Sequence, residues 1–138
     1  MKNSEIGLLF TGEERNVNLA ISHLRIHDGL YWSIPSNIMT KKYNPPINSY
    51  VCVKGKKIAY KCRIKKILPF HLSHFDSKCK KPLLWISERK SGQNKRNYRY
   101  SFLITKIYRN TAFITDLVKV AGGNVRNPPQ GIVNIKIK

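Results

Sequence analysis

Tyr31, Trp32, Ser33 and Asn37 bring two aromatic rings, a hydroxyl and an amide together within one short stretch of chain. A nucleobase taken out of its stack is held by aromatic faces and by hydrogen bonds to its edge, and these are the groups present. Trp85, the second tryptophan, is a candidate for the other wall of such a base pocket. The competing expectation for both tryptophans is burial in the core. Tyr98 and Tyr100, beside Lys95, Arg96 and Arg99, offer rings for stacking and cations for phosphates. Cross-strand pairing within a sheet is the structural alternative there.

Lys54, Lys56, Lys57, Lys61, Arg63, Lys65 and Lys66 are all cationic and lie close together in the chain. Lys78, Lys80 and Lys81, then Arg89, Lys90, Lys95, Arg96 and Arg99, bracket the apolar run that follows. Side chains of this kind bind backbone phosphates, which positions a nucleic acid without reading its sequence. Lys54, Lys56, Lys57, Lys61, Arg63, Lys65, Arg89, Lys90, Lys95, Arg96 and Arg99 are assigned that task.

Two constellations with metal chemistry compete with this reading. Cys62, His71, His74 and Cys79 are ligand types that zinc accepts, but their spacing matches no standard structural zinc site. Asp76 with Glu88-Arg89-Lys90 resembles the PD-(D/E)xK nuclease pattern, in which two carboxylates hold Mg²⁺ and the lysine helps activate water. The sequence has no G-x-S-x-G, Walker loop or H-E-x-x-H pattern. The expectation is therefore a binding protein with no cofactor and no catalytic residues. The Mg²⁺ nuclease is the alternative, and a basic structural protein of a ribonucleoprotein a third.

Charge supports binding. Lys and Arg number 26 against 7 Asp and Glu, a formal charge of +19. Most of the excess falls between residues 51 and 109, where only Asp76 and Glu88 are acidic. Such an imbalance destabilises a compact chain through self-repulsion, so a function that uses the field is its natural explanation. Nucleic acid, RNA or DNA, is the usual polyanionic partner, because each neutralised phosphate releases a condensed counterion. A membrane is not expected as a partner: no apolar run approaches the ~18 residues of a span, and there is no basic amphipathic helix. Three cysteines with no export-like leader imply free thiols in a reducing, cytoplasmic setting.

The elements that must position these groups follow from periodicity. Ile6 to Phe10 reads as a strand. Thr11 then caps a helix with Glu14 at its third position, Val17, Ala20, Ile21 and Leu24 on its apolar face, and Gly29 as its stop. Leu30 to Ile34 is a second strand, and Ser36 to about Lys42 a short helix ended by Pro45-Pro46. Tyr50–Val53 and Ile58–Ile67 form a hairpin around Lys54-Gly55-Lys56-Lys57. Alternation in its second strand places Ile58, Tyr60, Cys62 and Ile64 inside and Ala59, Lys61, Arg63 and Lys65 outside. Leu83 to Ser87 and Tyr98 to Tyr108 are further strands, and Thr111 to Val120 a helix ending at Gly122-Gly123. Ile132 to Ile137 is a last strand with Val133, Ile135 and Ile137 on one face. One α+β domain over 1–138 is expected: a small mixed β-barrel of about six strands with two or three flanking helices.

The run Tyr31-Trp32-Ser33-Ile34-Pro35-Ser36-Asn37, followed by a short helix and the hairpin from Tyr50 to Ile67, resembles the PUA-like superfamily in its EVE, YTH and ASCH branches. The chain has Asn48-Ser49 where those branches carry Gly-Asp before the hairpin. The resemblance implies a PUA-like barrel that reads RNA or a modified base in an aromatic pocket. It also implies a role like that of the N-terminal specificity domain of McrB-type modification-dependent restriction systems, in which a separate motor or nuclease acts.

Overall fold

The apolar pattern folds into one sheet with both faces partly covered. A computed structural model of the chain describes residues 5–35, 43–71, 74, 98–129 and 131–137. In chain order these form β1 (Glu5–Gly12), α1 (Glu14–His23), β2 (Leu30–Ile34), β3 (Ile47–Val53) and β4 (Ile58–Pro69). Then come β5 (Tyr100–Phe113), a 3₁₀ turn (Ile114–Asp116), β6 (Val118–Lys119) and β7 (Val133–Ile137). The seven strands lie in the order β2-β5-β4-β3-β1-β7-β6. Every pairing is antiparallel except β1 with β3, which run parallel and are joined through α1 and β2.

The chain is thus a small α+β protein, but the expected barrel is not formed. Among the described residues β2 pairs with β5 alone and the short β6 with β7 alone, so the sheet ends in two edges that do not meet. Among the described residues there is one α-helix rather than two or three. The helix expected over Thr111 to Val120 is replaced by the end of β5, because Thr111, Ala112 and Phe113 pair with Tyr60, Ala59 and Ile58. Tertiary pairing has overridden local preference there. The helix expected from Ser36 and the strand expected from Leu83 lie outside the described residues.

α1 carries the expected apolar stripe, with Val17 and Ala20 buried and Ile21 and Leu24 packed against the same cluster. Its start differs from expectation. Glu13 takes the N-cap position without a side-chain bond, and Thr11 stays in β1. The Thr11 hydroxyl donates to the Pro129 carbonyl in the β6–β7 connection at 2.6 Å, so it is committed there rather than to a capping box. The helix also stops early, at Leu24 rather than Gly29.

Alternation divides the sheet cleanly. Leu8, Phe10, Trp32, Val51, Ile64 and Phe102 face α1 and form the main core. Leu9, Cys52, Ala59, Ile135 and Ile137 point the other way and are covered by Ile114, Leu117 and Val125. The last strand therefore orients as expected, with Ile135 and Ile137 buried and Val133 packed beside them. Ala59, expected outside, is buried in this second cluster.

β4 and β5 do not stay in simple register. Between the pairs Ile64↔Ile104 and Lys66↔Leu103, β4 has one residue more than β5, namely Lys65. A β-bulge of this kind moves every later side chain to the other face.

Candidate nucleic-acid interface

The base pocket expected around β2 is split by the strand itself. Leu30, Trp32 and Ile34 are buried, whereas Tyr31 and Ser33 lie on the opposite side. Trp32 is only 7% exposed and packs edge-on against Phe10, with ring centroids 5.5 Å apart. Its ring also covers Gly12, where an added Cβ would lie 2.6 Å from two ring carbons. Trp32 is a core residue, and it cannot share a pocket with Tyr31 and Ser33, because successive side chains of a strand point to opposite faces. Asn37 and Trp85 lie outside the described residues.

Tyr31 and Ser33 instead join a cluster that the sequence did not advertise. The Tyr31 ring stacks on the His74 imidazole at 4.2 Å, and His74 Nδ1 lies 2.7 Å from the Ser101 hydroxyl oxygen. Ser33 Oγ is 3.3 Å from Ser101 Oγ, and Phe70 packs edge-on against His74 and beside Tyr98. Ser101 is fully buried and His74 nearly so, which makes this a hydrogen-bonded packing cluster beside the β2 edge. Tyr100 points the other way, against the main core.

The zinc series is not assembled. Cys62 lies fully buried in the core beneath α1, while His74 sits on the far side of the sheet with Tyr31 and Ser101. Among the described residues no group of three or more potential ligands comes together; Cys79 is not among them. Burial pushes the Cys62 thiol well above its ordinary range. The Cys52 thiol is also raised by burial, with the Thr11 hydroxyl opposing the shift. Both are packing residues rather than ligands or nucleophiles.

Between the second apolar cluster and the Tyr31–His74 cluster, the same face of the sheet carries cations. Arg63 on β4 is the register partner of Lys106 on β5 and of Asn48 on β3. Lys61 lies two residues before Arg63, on the same face, opposite Tyr50. Past the bulge, Lys66 pairs with Leu103 and so takes this face. The expected ridge of Lys61, Arg63 and Lys65 is thus corrected to Lys61, Arg63 and Lys66, because Lys65 is the inserted residue.

Lys106 and Lys66 are exposed, and Lys61 and Arg63 half-buried. The Asn48 amide oxygen accepts from Arg63 Nη1 at 3.1 Å and fixes the guanidinium against the sheet. Tyr108 completes the strip: Lys106 Nζ lies 4.7 Å and Lys61 Nζ 5.8 Å from its ring centroid, both within cation–π range. None of Lys61, Arg63, Lys66 and Lys106 forms an ion pair with a described carboxylate.

The hairpin turn is less available. Lys56 pairs with Glu14, which holds the ammonium in its charged form. Lys57 Nζ donates to the Arg126 carbonyl at 2.6 Å and to Asn127 Oδ1 at 2.9 Å. Lys54 is exposed, as is Arg99 just before β5. Arg89, Lys90, Lys95 and Arg96 lie outside the described residues, as do Asp76 and Glu88.

Lys106 and Tyr108 are the functional candidates that sequence reading missed. Their signal was present, since Lys106 and Tyr108 flank the buried Ile107 and alternation puts both on the face opposite to it. Compared with protein-family models, with curated proteins and with solved structures, the chain has no match.

Proposed function

We propose that this chain is a nucleic-acid-binding module whose contact surface is the cationic strip of Lys61, Arg63, Lys66 and Lys106. The observation that carries this reading is the direct cross-strand pairing of Arg63 with Lys106. Like charges facing each other across a sheet are destabilising, and a polyanion is the partner that reverses the sign. The net charge of +19 supplies long-range attraction, and the strip gives it a place to act. Phosphates are the matching groups, since Arg and Lys bind them without regard to sequence. A module of this kind would hold a target for a motor or nuclease partner. The cleavage reading has no geometry behind it, because Asp76, Glu88 and Lys90 lie outside the described residues.

The test is fluorescence anisotropy of labelled RNA and DNA against the native chain and two variants. Lys61→Gln/Arg63→Gln/Lys66→Gln/Lys106→Gln should lose most of the affinity. Lys54→Gln/Arg99→Gln/Lys119→Gln/Lys136→Gln, which removes the same number of charges outside the strip, should lose far less. Equal losses would mean that net charge alone drives binding and that the sheet face is not the site.

A further inference from the structure

Resting on that reading, we infer that the sheet face takes a single strand, with its phosphates following β4 and one base stacked on Tyr108. Lys61, Arg63 and Lys66 lie along one strand rather than across the sheet. Lys61 and Arg63 are alternate residues, about 6–7 Å apart, a step comparable to that between successive phosphates of an extended single strand, and Lys66 follows past the bulge as the next cation on the same face. Lys106 widens the strip by one strand at its centre.

A duplex makes a different demand. Its readers lay a helix or a two-stranded ribbon in the major groove. Here α1 turns its apolar stripe into the core, on the far side of the sheet from the cations. The ribbon tip between β3 and β4 has Lys56 tied to Glu14 and Lys57 tied to Arg126 and Asn127. α1 carries one arginine, Arg15, and Lys54 is the one exposed lysine of the tip outside these contacts, so neither element presents a row of cations to a groove.

Tyr108 supplies what a single strand needs besides charge. Every base has a π-face, so an aromatic ring set among phosphate-binding cations accepts any of them. The Tyr108 ring is half-buried and lies within reach of both Lys61 and Lys106, which holds it at the strip. A base stacked there takes the ring face that an ammonium group now covers, and the displaced lysine is left beside that base's own phosphate.

The experiment compares one mixed-sequence labelled strand, as DNA and as RNA, with the same strand annealed to its complement. Wild type, Tyr108→Phe and Tyr108→Leu are titrated with each at fixed salt. The single strands should bind at least about tenfold tighter than the duplexes. Tyr108→Leu should weaken single-strand binding about tenfold and Tyr108→Phe by less than about twofold, with duplex binding unchanged by either. Duplex binding as tight as single-strand binding would overturn this inference and leave nucleic-acid binding standing. No binding to any ligand would overturn that broader reading instead. Photocrosslinking of an iodouracil-containing strand to the wild-type chain gives a readout independent of the variants' folding. Attachment at Tyr108 is expected, and attachment confined to other residues would refute the stacking assignment.

Discussion

Arg63 and Lys106 are register partners on β4 and β5, so two cations stand side by side on one face of the sheet. Asn48 accepts a hydrogen bond from Arg63, but no described carboxylate pairs with either cation. A local rule of sheet stability is broken on a face where Lys61, Arg63, Lys66 and Lys106 lie together. Such breaks are expected at functional sites, where a ligand supplies the missing interaction.

Stability and binding should therefore trade against each other at position 106. Lys106→Glu replaces a repulsive cross-strand pair with an attractive one, and should stabilise the chain by about 0.2–1 kcal/mol. The same change should weaken nucleic-acid binding. Thermal or denaturant unfolding beside a binding titration checks both halves, and a variant that loses stability would contradict the repulsion argument.

Trp32 should matter for folding and not for binding. Trp32→Ala should destabilise by about 3–5 kcal/mol through the cavity it leaves between Phe10 and Gly12. Trp32→Phe should lose less stability and keep the affinity of the native chain. A Trp32→Phe variant that folds normally yet loses base selectivity would restore Trp32 to a pocket.

Gly7 is required by close packing of backbones. A Cβ there would fall 2.2 Å from the Asn48 carbonyl oxygen and 2.8 Å from Ile137 Cγ1. Gly7→Ala should destabilise by about 1–3 kcal/mol or more, read from denaturant unfolding. Asn48 also holds Arg63, so the same variant should weaken binding at conditions where it remains folded.

Mild acid should loosen the end of α1. Burial is the main cause of a lowered His23 pKa, and the neighbouring His27, stacked at 4.2 Å, adds to it, while a backbone bond with Gly29 opposes both. The folded chain thus binds fewer protons at His23 than the unfolded chain does. Its contribution is complete above the ordinary histidine value of 6.5 and is lost as pH falls through that value toward the lowered one. His23→Gln should flatten this part of the stability–pH curve, and an unchanged curve would remove His23 from the account.

Much of the sheet was legible because strands announce themselves by alternation. Leu30 to Ile34 formed a strand with the expected bounds, and the β3–β4 hairpin formed around Lys54 to Lys57. What alternation cannot reveal is an inserted residue. Lys65 looked like the third member of a ridge, and only pairing with β5 gives its place to Lys66. Trp32 failed for the opposite reason: sequence proximity to Tyr31 and Ser33 suggested one pocket, although strand geometry puts neighbours on opposite faces. Thr111 to Phe113 looked helical in isolation and became strand by pairing with Ile58 to Tyr60. Those pairings join residues about fifty positions apart, which local patterns do not encode. The Tyr31–His74 stack and the Arg63–Lys106 pair were hidden in the same way.

Phosphate contact by the strip is read from the salt dependence of single-strand affinity, measured for the native chain and for Lys61→Gln/Arg63→Gln/Lys66→Gln/Lys106→Gln. Four phosphate contacts should contribute about 3 to the slope of log affinity against log salt concentration, and the variant should lose about that much. A variant that keeps the native slope would show that these side chains touch no phosphates, and would contradict the account.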